Sequence, residues 1–104
     1  FFGNLERLQR ELEPLFGADR HDVVLDLRRV ATLDASAAVA LARWRTLAQA
    51  QGVRLRLAGV TPDNRHGRTL AAHGQLATWL EEPGLLHADA DLAMAREIVL
   101  NAKV

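Results

Sequence analysis

The stretch that decides the fold spans residues 22–44 and reads DVVLDLRRVATLDASAAVALARW. Residues 23–27 are mostly apolar and rich in β-branched side chains, which is typical of a strand buried on both faces. A turn over residues 28–33 follows, and Asp34 or Ser36 then offers an N-cap for a helix. The stretch therefore predicts a strand, a loop and a helix. The loop leaves the carboxyl end of the strand beside the partly positive start of the helix.

The helix of this unit is expected to run to about Gln51, with Gly52 as its C-terminal stop. A helical period places one set of side chains on a single face, which we expect to enter the core. Trp44 belongs to that face, so its role is expected to be structural. The predicted core face consists of Ala37, Ala40, Leu41, Trp44, Leu47 and Ala48.

The residues before this unit predict another helix. Phe1 and Phe2 are typical of the end of a strand, and Asn4 is the best N-cap for the helix that follows. Pro14 lacks the amide hydrogen that a helix interior needs, so the helix is expected to end or distort near Glu13, and Gly17 is expected to close it. Its core face comprises Leu5, Leu8, Leu12 and Leu15.

Residues 53–60 alternate between apolar and charged side chains, which predicts a strand with one face exposed to water or to a partner. Arg54 and Arg56 lie on that face. With Arg28 and Arg29 beyond the neighbouring strand, they offer a cationic patch as an alternative to a solvated sheet face. Thr61 and Pro62 then supply an N-cap and a first helical residue for a third helix, which ends at residues 73–74.

The C-terminal third is less regular. Residues 75–82 form either a short extra turn or a loop that buries Trp79, which is also a candidate contact residue. Residues 85–87 predict a brief last strand, and Asp89 or Asp91 begins a final helix. The inward residues of that helix are Leu92, Met94, Ala95 and Val99.

Strands and helices alternate along the chain, which predicts the α/β class. We expect a small, mostly parallel or mixed sheet of about four strands, with about four helices packed on it.

The 104 residues fit one domain. Thirteen basic and thirteen acidic residues cancel, so nucleic acid is not expected as a partner. The longest weakly polar stretch, residues 30–42, is too short to insert into a membrane.

Candidate chemistry is sparse. Asp26 and Asp34 lack the nearby lysine that a phosphoryl-transfer site needs, since Lys103 is the sole lysine. Asp26 is instead expected to bind loop amides and Asp34 to cap the helix. The four histidines, at positions 21, 66, 73 and 87, are scattered and expected to be exposed. No catalytic, metal or cofactor site is predicted, and an enzyme is not expected.

Two motifs carry a family resemblance. Asp34-Ala35-Ser36 follows VVLDLRRVATL, and GVRLRLAGVTP comes one helix later. Together they resemble a STAS domain, a family that includes anti-sigma factor antagonists and the cytoplasmic C-terminal domains of SulP-type anion transporters. The opening FFGNLERLQREL is similar to the entry into the first helix of the SulP branch. The resemblance extends from Phe1 to about Arg96.

The resemblance implies a function at the loop. In the antagonists, the residue after this aspartate is a serine or threonine whose phosphorylation switches partner binding. Ala35 stands there and has no hydroxyl, while Ser36 is interpreted as a capping or first-turn residue. The resemblance therefore implies a non-enzymatic regulatory domain of a SulP-type (sulfate) transporter, located in the cytoplasm as the cytosolic domain of an inner-membrane protein. The alternatives are a free-standing antagonist that binds an anti-sigma factor, and a weak nucleotide-binding module.

The resemblance also implies boundaries and a contact surface. Residues 1–104 are expected to be a single domain, an excerpt that lacks the usual first strand and so leaves a strand edge open to pairing. The expected partner is the transmembrane part of the same transporter or a cytosolic regulator. The predicted contact loop comprises Thr32, Asp34, Ala35, Ser36, Thr61 and Pro62.

Overall fold

The computed structural model describes residues 5–17, 22–88 and 98–101. Within them the chain forms four helices and four strands, so the predicted α/β class is confirmed. The elements in chain order are α1 (Leu5–Phe16), β1 (Asp22–Asp26), α2 (Ala35–Ala50), β2 (Arg54–Ala58), α3 (Arg65–Ala72), α4 (Leu76–Trp79), β3 (Leu86–His87) and β4 (Ile98–Asn101). No helix of these segments is long and apolar enough to cross a membrane.

The four strands form one sheet in the order β3-β2-β1-β4, and all three pairings are parallel. β1 lies between β2 and β4, with Val23 opposite both Leu55 and Ile98. Residues 23–26 of this central strand are all buried, so both of its faces are covered. A strand covered on both faces is mostly apolar along its length, which explains the run at residues 23–27. Parallel neighbours end at the same edge, so the loops after β1 and β2 lie together.

The core lies between the sheet and the helices. α2 packs on β2, and α1 packs on α2. Trp44 and Trp79 are both almost fully buried, so the structural role expected of Trp44 is confirmed and Trp79 is also a core residue. Burying one large apolar side chain contributes about 1.5–3 kcal/mol. These two side chains therefore anchor α2 and α4 to the core.

The predicted bounds of α2 are confirmed, since Asp34 caps its start and Gly52 follows its end with a φ of 75°. The prediction that Leu47 belongs to the core face of α2 is wrong, because Leu47 is 40% exposed. Ala38 and Arg45 are buried in its place. Because α1 and the sheet both contact α2, the buried arc of the helix is turned away from Leu47.

α1 does not end near Glu13, one of the two outcomes expected from Pro14, but runs to Phe16, and Gly17 follows its end as expected. The missing amide hydrogen of Pro14 affects only the carbonyl of Arg10, four residues earlier. Both residues are exposed, and a carbonyl that loses its helical donor on an exposed face can bond to water instead. The added residues bring Phe16 into the core, where it is buried.

The exposed face predicted for β2 is wrong at its centre. Arg56 is only 6% exposed, although Arg54, at the start of the strand, remains open to water. The Nε of Arg56 lies 3.5 Å from Oδ1 of Asp22, on the neighbouring strand. A long arginine side chain can bury its methylenes while its charged end keeps a partner. The alternation of residues 53–60 therefore predicted that Arg54 and Arg56 share a face of the strand, but not that Arg56 is buried.

α3 begins later than predicted. Its N-cap is Asn64, whose side-chain oxygen accepts the amide of Gly67, and its first residue is Arg65. Thr61 closes the preceding turn instead, since its hydroxyl accepts the amide of Asn64 at 3.1 Å. The helix ends before His73 and Gly74, as expected.

The predicted strand over residues 85–87 is confirmed as β3, but it is not the last strand. β4 contains Val99, which was assigned to a helix, and this assignment is wrong. β-branched residues beside the open edge of β1 gain ladder hydrogen bonds there. The predictions for residues 1–4, 18–21 and 89–97 lie outside the described residues.

Candidate functional site

The carboxyl end of β1 is fixed by a buried carboxylate. Asp26 accepts the backbone amide of Arg28 at 3.0 Å and binds its guanidinium at 2.8–3.1 Å. These hydrogen bonds, above all those from the Arg28 side chain, lower the pKa of Asp26 below its usual value. The prediction that Asp26 binds a loop amide is confirmed. The same bonds occupy its oxygens, which argues against a phosphoacceptor role.

A histidine joins the β1–α2 loop to α3. The Nε2 of His66 lies 2.9 Å from the carbonyl oxygen of Val30, and because a carbonyl only accepts, Nε2 carries the proton and donates. His66 is 5% exposed, so the expectation of an exposed ring is wrong. Burial is the main cause that lowers the pKa of His66, which favours the neutral ring.

Asn64 organises the other loop. Its Oδ1 accepts the amide of Gly67 at 3.0 Å, and its Nδ2 donates to the carbonyl of Gly59 at 3.0 Å. Gly67 lies so close to the preceding turn that a β-carbon there would stand 1.7 Å from the carbonyl oxygen of Thr61. The helix and its entering turn therefore fit together only because residue 67 has no side chain.

The start of α2 presents the residues that the sequence singled out. The Oδ1 of Asp34 accepts the amide of Ala37 at 2.8 Å, which confirms its capping role. Thr32, Asp34, Ala35 and Ser36 are exposed. Ala35 and Ser36 form the first turn of the helix. This loop therefore displays its side chains to solvent while its helix start is held by a cap.

The structure brings the two loops to one edge of the sheet. An open cleft of about 450 Å³ lies between them, lined by Arg28, Gly59, Asn64, Arg65, His66 and Ala88. The hydrogen bond between His66 and the carbonyl of Val30 links the β1–α2 loop to α3. The sequence analysis did not predict that these two residues are in contact. The weak apolar stripe of α3 was the available signal, because it left His66 as one of few residues able to face the core.

The four arginines proposed as a cationic patch do not share a surface. Arg54 lies at the amino edge of the sheet, where its Nε binds Asp22 at 2.7 Å, and Arg56 contacts the same carboxylate. Arg28 follows β1 at the opposite edge. The described residues contain no group of three or more histidine, aspartate or glutamate side chains able to hold a metal ion.

A family model described as STAS domain matches residues 1–77, about three quarters of the chain. The chain belongs to the STAS domain family. The match includes the strand, loop and helix of residues 22–50, and it reaches the start of α4. Membership indicates a regulatory module that acts through contacts with other proteins. No curated protein and no solved structure matches the chain.

Proposed function

We propose that this STAS domain is the cytoplasmic regulatory domain of a SulP-type anion transporter and acts by protein contact, without catalysis. The observation that carries the proposal is Ala35, which stands exposed directly after the cap Asp34. The antagonists that the chain resembles carry a phosphorylated hydroxyl at this place. A methyl group accepts no phosphate, so this loop works without that switch.

The proposed docking surface comprises Thr32, Asp34, Ala35, Ser36, Thr61 and Pro62, at the carboxyl edge of the sheet. Bonds to Asp26, Asn64 and His66 fix the two loops before any partner arrives. A surface that is already ordered loses less conformational entropy on binding than a mobile one. This order supports a docking role for the edge.

The proposed partner is the transmembrane part of the same transporter or a cytosolic regulator, and residues 1–104 act as one domain. The free-standing antagonist is the alternative. The coding sequence upstream of Phe1 separates the two: membrane-spanning segments there support the transporter, whereas an adjacent start codon excludes it. Stoichiometric phosphate on Ser36 after incubation with anti-sigma kinases and ATP would favour the antagonist.

The docking surface is tested by Ala35→Asp in the intact transporter. The added carboxylate lies at the positive end of α2, so the free energy of unfolding should change by less than about 1 kcal/mol. Regulation should be lost, because an extra buried charge in an interface is costly. Anion flux in proteoliposomes measures the effect.

The matched control is Thr46→Glu, which adds the same charge to an exposed position on the same helix, away from the loop. This control should keep wild-type regulation of flux. If Ala35→Asp also keeps it while folding normally, the docking surface has been placed wrongly.

A further inference from the structure

Arg45 is an unusual buried cation on α2. The residue is 6% exposed, yet its nearest carboxylate oxygens, on Glu81 and Glu82, lie 3.8 and 3.7 Å from its terminal nitrogens. Both separations exceed a direct N–H···O hydrogen bond. Among the described residues, these two carboxylates are the only groups that Arg45 contacts through its charge. A buried guanidinium held so loosely has hydrogen-bonding capacity to spare.

Glu82 stands between two arginines without bonding closely to either. Its Oε2 is 3.7 Å from Arg45, and its Oε1 is 3.6 Å from Nη1 of Arg54. A cavity of about 120 Å³ adjoins the three side chains, with Gly52 and Leu55 in its wall. Two guanidinium groups thus face one carboxylate across a small cavity at the amino edge of the sheet.

Planar guanidinium groups match the oxygens of a tetrahedral oxyanion, because each offers two parallel N–H donors. We propose that Arg45 and Arg54 form a binding site for a small divalent oxyanion of the sulfate or phosphate type, with Glu82 as the internal carboxylate that the ion displaces. The site lies at the edge opposite the docking surface. It does not depend on the transporter proposal.

Size and charge select the ligand class. Sites for larger organic molecules usually measure about 300–1,000 Å³, so this cavity is suited to a single small ion. Arg54 is already bonded through Nε to Asp22 at 2.7 Å, and this bond holds the group in place while its terminal nitrogens face Glu82. Glu82 is partly exposed and can turn toward solvent when the ion enters.

Competition with Glu82 makes the wild-type site weak, with a dissociation constant in the millimolar range. Glu82→Gln removes the competing charge and keeps the shape of the side chain. Loss of one partly exposed ion pair should tighten binding about fivefold. Arg45→Lys keeps the charge but removes the paired donors, so binding should weaken by about the same factor.

The test is a titration of the isotope-labelled domain with sodium sulfate, followed by the amide signals of Gly52, Val53 and Leu55. Sodium chloride at matched ionic strength separates specific binding from general salt effects. Arg43→Lys is the control, since Arg43 is exposed on the same helix. It should bind like the wild type.

Saturable shifts that are strengthened by Glu82→Gln and weakened by Arg45→Lys support the site. Shifts that sodium chloride reproduces overturn it. Equal affinity in the wild type and Glu82→Gln, both folded, also overturns it, because the carboxylate would then not occupy the site. Since no partner protein is present, these outcomes are independent of the docking proposal.

Discussion

The two edges of the sheet hold their polar side chains in different ways. At the carboxyl edge, Asp26, Asn64 and His66 bond to backbone groups at 2.9–3.0 Å. At the amino edge, Arg54 is bonded to Asp22 at 2.7 Å, but Glu82 lies 3.6–3.7 Å from both Arg54 and Arg45. Bonds to the backbone fix the path of the chain, whereas loose contacts between charged ends leave those ends free to exchange partners. The first edge is therefore preformed and the second adaptable.

The strongest test of a preformed carboxyl edge is Gly67→Ala. The new β-carbon would stand 1.7 Å from the carbonyl oxygen of Thr61 and 2.8 Å from its carbonyl carbon. Backbone atoms cannot yield as a flexible side chain does, so α3 must move away. We expect the free energy of unfolding to fall by about 3 kcal/mol or more, measured by urea denaturation.

Gly17→Ala is the control for this substitution, because nothing lies within 4 Å of a β-carbon there and its φ is not positive. Its effect should stay within about 0.5 kcal/mol. Equal stability of the two variants would show that the turn before α3 is not preformed.

Asp26→Asn tests the carboxylate that fixes the β1–α2 loop. The amide keeps the size of the side chain but loses the charge-assisted bonds to Arg28, at a cost of about 1.5–3 kcal/mol at neutral pH. In the folded chain the pKa of Asp26 lies below the reference value of 3.8. Its stabilisation is therefore complete above about pH 4 and is lost as the pH falls through the folded pKa.

Urea denaturation at several pH values checks this prediction. The difference in stability between the wild type and Asp26→Asn should shrink below about pH 4. A difference that stays constant down to pH 2 would contradict the role given to the ionised carboxylate.

His66→Gln is expected to cost about 1–2 kcal/mol, because its amide can still donate to Val30 but the flexible side chain holds that buried donor less rigidly than the ring does. The wild type should also lose stability as the pH falls below 6.5, because burial keeps the folded pKa of His66 under that reference value. The unfolded chain then binds more protons than the folded chain. Thermal unfolding between about pH 8 and pH 5 measures this dependence.

His66→Gln should flatten this pH dependence, whereas His73→Gln, at an exposed position, should keep it. If both variants retain the wild-type slope, the ring of His66 is not the group that titrates.

The smallest effect is expected at the amino edge, from Glu81→Gln. Glu81 is mostly exposed and lies 3.8 Å from Arg45, so its removal should change stability by no more than about 0.5 kcal/mol. The measurement is urea denaturation at low and high salt, with Asp26→Asn beside it. A loss as large as that of Asp26→Asn would remove the distinction between the edges.

The features that the sequence predicted correctly are local ones. A β-branched run indicated β1, Asp34 indicated the start of α2, and Gly52 indicated its end. Each signal depends on neighbours within a few residues. The cap at Asp34 and the hydrogen bond from the backbone amide of Arg28 to Asp26 were predictable for the same reason.

The features that were missed depend on residues distant in sequence. His66 is buried because its ring reaches Val30, and Arg56 is buried beside Asp22. Periodicity placed Val99 in a helix, whereas pairing with β1 places it in a strand. None of these partners lies within the window that a local pattern examines.

The position of β4 has a consequence for the order of folding. β1 pairs with β4 in a register that sets Val23 opposite Ile98, so its second edge closes only after residues 98–101 are available. Pairings between distant residues form slowly, because the chain between them must close into a long loop before the contacts contribute to stability. β1 with β2 and β3 can associate earlier. During refolding or synthesis this edge of β1 is therefore open until β4 pairs with it, and two unfinished chains would be able to join there.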